Sequence, residues 1–260
     1  MTTTTRTPTV GLLYPGFGAE DDFPALEERL GHAVHLPLVH TSVGVDAHAV
    51  DALLDLGGPE RLADGARELL AGTPLPDSVM WACTSGSFVF GWDGARRQVD
   101  QVADLVGLPV SSTSLAFVSA IRSLGLQRVA VAASYPEDVA THFVDFLRHG
   151  GIEVTTMRSH GIFTAAEVGL LDREGVLDLV RGIDAGDAEA LLIPDTAMHS
   201  LAWLDDLEEA AGRPVLTANQ VTVWEGLRLL GEGPALEALG ALFAGGAGVG
   251  ADRTRADLAR

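Results

Sequence analysis

The 260-residue sequence holds a single cysteine, Cys83, which excludes an intramolecular disulfide and leaves too few thiolates for a cysteine-based zinc or iron–sulfur site. Basic residues are scarce: 17 Lys and Arg stand against 36 Asp and Glu, for a formal charge of −19, and no basic cluster interrupts the acidity. Such a chain repels a phosphate backbone, which argues against a nucleic-acid partner. No stretch reaches about 18 uninterrupted apolar residues, and Met1–Thr9 is a Thr-rich run without the apolar segment of an export signal. The sequence therefore reads as soluble and cytoplasmic, with no membrane partner. Nucleotide fingerprints are missing too. The Gly-x-Gly at Gly16 and Gly18 lacks the third glycine of a dinucleotide loop, no P-loop occurs, and the histidines lack metal-ligand spacing such as H-E-x-x-H. No cofactor and no metal are expected.

What is present is an alternation of short Val/Leu/Ile-rich runs with longer amphipathic stretches, the pattern of parallel strands joined by crossover helices. Strands are expected at Val10–Tyr14, Val34–Leu38, Ser78–Ala82, Val110–Ser111, Val129–Ala133, Glu153–Arg158, Ala190–Ile193 and Val215–Thr217. Helices are expected at Asp22–Leu30, Glu60–Leu70, Gly94–Val106, Ser114–Leu124, Glu137–His149, Arg173–Ile183, Leu201–Ala211 and Gln220–Leu230.

Landmarks of the first half return in order in the second. Tyr14-Pro15 answers to Tyr135-Pro136, Cys83-Thr84 to Asp195-Thr196, and the GLPV at Gly107 to the GRPV at Gly212. The expected fold class is thus α/β, with two pseudo-symmetric Rossmann-like halves, each a mostly parallel sheet flanked by helices. The division reads as a disordered start at 1–8, a first half at 9–114 and a second at 115–217. Helix 218–231 is left free to pack back on the first half, and 232–260 forms a C-terminal helix and tail. Such folds bind ligands beyond the carboxyl ends of their strands, so the paired turns should face one cleft between the halves. The long connection Asp46–Gly58 is placed as a lid over it.

Cys83 ends a strand and precedes Thr84, Ser85, Gly86 and Ser87, a strand-to-helix turn. Amides at a helix start favour anions, so this turn is expected either to stabilise a thiolate, whose ordinary pKa is about 8.5, or to hold a substrate carboxylate. Asp195 occupies the equivalent second-half position. It serves either as a proton-transfer group on the opposite face of a substrate or as the N-cap of a helix. Thr196 offers an amide and a hydroxyl. Tyr14 and Tyr135, the only tyrosines, each end a strand before proline and are candidates for binding an anion, together with Pro15 and Gly16. His160 and His199 are lesser candidates near the expected cleft.

The Cys83-Thr84-Ser85, Tyr135-Pro136 and Asp195-Thr196 turns, with the GLPV and GRPV segments, resemble maleate cis–trans isomerases and arylmalonate decarboxylases of the aspartate/glutamate racemase superfamily. The WACTSGSF stretch is also similar to members associated with ectoine utilisation. The resemblance implies a cofactor-independent enzyme acting on a small carboxylate. In a maleate isomerase, a first-half cysteine attacks the double bond and a second-half cysteine assists; Cys83 matches the first, while Asp195 stands in place of the second. In an arylmalonate decarboxylase, the second-half cysteine protonates an enediolate while Thr and Ser of the first-half turn hold a carboxylate; Thr84 and Ser85 match that pair, and the thiol has changed sides.

Four outcomes follow. Maleate isomerase-like chemistry with Cys83 as nucleophile leads; decarboxylation with Cys83 as proton donor, racemisation by a Cys83/Asp195 pair, and a non-catalytic carboxylate-binding protein are the alternatives. Homo-oligomerisation stays open.

Overall fold

A computed structural model of the chain describes residues 6–16, 18–231, 236 and 239–244. These residues include eight strands: β1 Val10–Tyr14, β2 Leu38–His40, β3 Ser78–Trp81, β4 Val110–Ser112, β5 Arg128–Ala133, β6 Glu153–Ser159, β7 Ala190–Ile193 and β8 Val215–Thr217. The helices of the first half are α1 Asp22–Arg29, α2 Val50–Leu56, α3 Pro59–Ala71, α4 Ser85–Phe88, α5 Gly91–Val106 and α6 Thr113–Ser123. Then follow α7 Glu137–His149, α8 Ala165–Gly169, α9 Arg173–Arg181, α10 Leu204–Ala211, α11 Ala218–Arg228 and α12 Gly240–Ala244. No helix among the described residues is long and apolar enough to cross a membrane.

The strands form two four-stranded parallel sheets of identical order, β2-β1-β3-β4 and β6-β5-β7-β8. The repeat read from the sequence is therefore a repeat of topology. The GLPV and GRPV echoes have a local cause: Gly107 and Gly212 end α5 and α10 with φ of 69° and 61°, a left-handed cap that favours glycine.

Side chains alternate across each strand, so every sheet feeds two cores. Leu13, Val79 and Trp81 pack outward under α3 and α5 with Leu62, Leu69 and Val102. Ala130, Ala132, Leu191 and Ile193 pack outward under α9 and α10. The opposite faces, with Leu12, Tyr14, Met80, Val131 and Leu192, join Phe117, Phe143 and Val221 in one cluster running through both halves. Each such fully buried side chain contributes about 1.5–3 kcal/mol, so the halves are fused by apolar burial.

Two segments differ from expectation. Val34–Leu38 was expected as the second strand, but β2 is Leu38–His40. Pro37 has no N–H and interrupts the ladder, although the carbonyls of His35 and Pro37 still accept from Val10 and Leu12 at 2.8 Å. The connection Asp46–Gly58 is not irregular throughout, since α2 lies inside it. Of the expected N-terminal tail, Met1–Thr5 lies outside the described residues, while Arg6 pairs with Asp77 at 2.7 Å. The Gly-rich linker and charged tail expected from Gly245 also lie outside them. The division drawn at 114/115 falls in the first turn of α6. Helix α11 rests against the first sheet, where Ser78 Oγ donates to the Gly226 carbonyl at 2.8 Å.

Candidate active site

Parallel strands aim their carboxyl ends to one side, and the turns after β1, β3 and β7 meet there. They enclose a cavity of about 40 Å³ lined by Tyr14, Pro15, Gly16, Val43, Val45, Cys83, Ser85, Ala165, Asp195, Thr196 and Ala197, together with Asp46, Ala47, His48, Leu53 and Leu56 of the lid segment. Among the described residues no three His, Cys, Asp or Glu side chains gather as metal ligands.

Cys83 is buried, and its sulfur accepts from the Gly86 amide at 3.3 Å and meets Ser85 Oγ at 3.9 Å. Burial dominates over these contacts and pushes the thiol up to about 12, with the charge of Asp195 adding to the rise. This corrects the expectation of a stabilised thiolate. The helix after Cys83, α4, is a single turn of four residues, too short to build much dipole, and one long amide contact cannot replace lost hydration. Thr84 Oγ1 is fully buried beside this turn without a hydrogen-bond partner.

Asp195 is satisfied from within the protein. Oδ1 accepts from the Ala197 amide at 3.0 Å, and Oδ2 from the Ser134 hydroxyl. This is an aspartate turn, and no helix starts there, so the helix N-cap alternative falls. Both tyrosines grip the same turn. Tyr135 Oη donates to the Pro194 carbonyl, and Tyr14 Oη donates to the Thr196 carbonyl at 3.1 Å while accepting from the Ala19 amide at 3.0 Å. Burial raises both phenols, with Asp195 among the smaller causes. In this conformation neither phenol has its proton free for an anion, contrary to expectation, because the turn's own carbonyls take it.

The other candidates separate cleanly. Pro15, Gly16, Ser85 and Thr196 line the cavity. His199 does not; its Nε2 pairs with Asp21 at 2.7 Å. His160 is also elsewhere, its amide bound to the Ala133 carbonyl at 2.9 Å.

Two side chains escaped the sequence reading. His48 reaches the cavity from the lid segment, buried, with Nδ1 2.8 Å from the Ile162 carbonyl and Nε2 4.0 Å from Asp195 Oδ2. Gln98 on α5 donates from Nε2 to the carbonyls of Gly57, at 2.8 Å, and Gly86, at 3.0 Å, joining the end of the lid to the cysteine turn. Gly57 is required for this approach, since a Cβ there would lie 2.1 Å from the Gly86 carbonyl oxygen. Neither residue sits in a motif; the only signal was the lid's length.

A site with a buried thiol at one strand end and a carboxylate at the equivalent end of a repeated half is a narrow structural description. The sequence profile of the arylmalonate decarboxylase family matches residues 25–243. The chain belongs to that family. Arylmalonate decarboxylase of Bordetella bronchiseptica is 30% identical over 232 residues, covering 87% of this chain and 92% of that protein. A liganded variant of arylmalonate decarboxylase, with a glycine changed to cysteine and a cysteine to serine, matches with a TM-score of 0.78 at 28% identity, covering 91% of this chain and 99% of that one. A cysteine-to-serine variant of the Nocardia farcinica maleate cis–trans isomerase, holding a covalently bound succinylcysteine intermediate, has a TM-score of 0.80 at 24% identity, over 91% and 98%. The family's relatives are thus lyases and isomerases, with cysteine chemistry seen in their structures.

Proposed function

We propose that this protein is a cofactor-independent enzyme acting on a small carboxylate, with Cys83 as the reacting group, and that it decarboxylates a 1,1-dicarboxylate. The observation that carries this reading is a buried thiol that faces Val43, Val45, Leu53 and Leu56 across the cavity and sits beside the hydroxyls of Thr84 and Ser85. Ser85 lines the cavity and Thr84 Oγ1, buried in the same turn, has no geometric hydrogen-bond partner, so this turn is assigned the grip on one carboxylate next to Cys83. The other side offers Val43, Val45, Leu53 and Leu56, and a carboxylate, Asp195, already held by the Ala197 amide and the Ser134 hydroxyl. A second substrate carboxylate is destabilised there. Its C–C bond breaks, carbon dioxide leaves, and the electron pair spreads into the retained carboxylate as an enediolate. Cys83 Sγ–H then gives its proton to the α-carbon, and the thiolate recovers a proton from water.

Maleate isomerase-like chemistry, the leading reading from sequence, keeps support from one observation. The only thiol stands on the first-half turn, the position that the resemblance gives to the attacking cysteine. There the thiol would give up its proton to water as Sγ adds to one alkene carbon, the displaced electron pair would pass into the adjacent carboxylate as an enediolate, the resulting single bond would rotate, and return of the pair would break the C–S bond and release a thiolate that takes its proton back from water. A proton NMR time course in deuterium oxide with malonates and maleate separates the two. Decarboxylation places one deuteron on the product's α-carbon, whereas isomerisation gives fumarate without carbon-bound exchange. Cys83→Ser should lower either turnover by about a thousandfold or more. Wild-type turnover that survives the substitution would refute the assignment of Cys83.

A further inference from the structure

The cavity has an unusual charge inventory for a site that takes anions. All 17 Lys and Arg residues of the chain are arginines, and none of those described lines it. The ionisable side chains that do are Tyr14, Asp46, His48, Cys83 and Asp195, so His48 alone among the described lining residues can carry positive charge. It is also held for that purpose. The lid strand of chain before α2 is buttoned to the second half: the His48 amide donates to the Phe163 carbonyl at 2.6 Å, and Asp46 accepts from the Ala165 and Ala166 amides at 2.9 and 3.2 Å. A carbonyl oxygen only accepts, so the Ile162 carbonyl at 2.8 Å fixes the imidazole proton on Nδ1. Proton gain and loss are then confined to Nε2, which points to Asp195 Oδ2 at 4.0 Å.

We infer that His48 is the counter-charge of this cavity, and that binding of a substrate dianion is coupled to proton uptake at Nε2. The inference rests on the reading of the cavity as a carboxylate site. The groups against the ring are Asp195 from the turn after β7 and the Tyr135 ring, edge-to-face at 4.8 Å, from the turn after β5; Cys83 from the turn after β3, Tyr14 at the end of β1 and Asp46 on its own segment line the same cavity. Of these, Asp46 is engaged by the α8 amides and Asp195 by Ser134 and Ala197, so neither disappears when an anion enters. Bringing a dianion between two carboxylates raises proton affinity at the one basic nitrogen present. By linkage, the proton that the anion recruits must in turn strengthen anion binding. His48 would therefore make anion binding depend on pH.

The test is calorimetric titration of the full-length protein with malonate, the smallest 1,1-dicarboxylate, in two buffers of different ionisation enthalpy, at about pH 7 and about pH 9, where the ligand stays ionised. The expected result is binding that weakens with rising pH, by at most about tenfold per pH unit for one linked proton, with a buffer-dependent enthalpy reporting uptake. His48→Gln should abolish the buffer dependence and flatten the pH profile. His40→Gln, at an exposed histidine 4.0 Å from Glu20 outside the cavity, should retain both. A pH-invariant Kd with buffer-independent enthalpy, or failure of malonate to bind, overturns the inference; the wild-type measurement suffices if His48→Gln does not fold. The two readings fail separately. Proton-coupled binding without turnover would sink the enzyme assignment alone, and Cys83-dependent turnover with pH-invariant binding would sink the His48 assignment alone.

Discussion

The turns after β3 and β7 occupy equivalent places in sheets of identical order, yet they are finished in opposite ways. At the Asp195 turn the carboxylate and the flanking carbonyls are held from within the protein. Ser134 and the Ala197 amide hold the carboxylate, and the only two tyrosines of the chain hold the carbonyls of Pro194 and Thr196 on either side. At the Cys83 turn the sulfur has one amide donor, from Gly86, and a distant Ser85 hydroxyl, and Thr84 Oγ1 has no geometric partner. The difference teaches that a duplicated frame need not hold a duplicated site: one turn is a fixed wall and the other is left chemically open.

That contrast can be broken most forcefully at the thiol. With its pKa pushed up to about 12 from an ordinary 9.0, native Cys83 at mildly alkaline pH should react with a disulfide reagent about a thousandfold more slowly than in the urea-unfolded chain. A raised folded-state value favours the protonated form. The associated stability is therefore complete below about pH 9 and is lost as pH climbs from there through about 12. Labelling as fast as a free thiol's would mean that the turn is not sealed.

The openness of the first turn is sharpened by Thr84→Val. In the empty protein this replaces an unpartnered buried hydroxyl with a methyl of similar shape, so the urea midpoint should hold or rise slightly. Loss of a charge-assisted bond worth about 1.5–3 kcal/mol should lower kcat/KM by roughly ten- to a hundredfold. A drop in stability would show that the hydroxyl is structural.

The smallest effect is expected at the finished turn. Tyr14→Phe strips the Thr196 carbonyl and the Ala19 amide of a buried partner, which should cost about 1–3 kcal/mol in urea unfolding. An unchanged midpoint would show that the turn does not depend on its clamp.

The frame was legible because it is written locally. Strand runs, helix periodicity, and the Gly107 and Gly212 caps all act within a few residues, and the repeat made them mutually consistent. The turns bearing Cys83 and Asp195 were legible for the same reason, being strand ends followed by small polar residues. What could not be read depends on pairings far along the chain. His48 acquires its meaning from Ile162 and Asp195, and Gln98 from Gly57 and Gly86. Pro37, which shortens β2, was readable but was outweighed by the apolar run before it. The expected thiolate failed because a favourable helix start is worth less than the hydration lost by burial.

Helix α11 gives the chain a timetable. Gly226 lies against Val10 and Met80, and its carbonyl takes the Ser78 hydroxyl, so one flank of the first sheet is closed by residues 148 positions later than Ser78. During synthesis, at about 5–20 residues per second, the first sheet waits roughly ten seconds or more with that flank uncovered. Its last wall arrives only after the whole second sheet has been made. A nascent chain stopped short of Arg228 would thus present a bare apolar strip, a natural landing place for a chaperone or, at high concentration, for another unfinished copy.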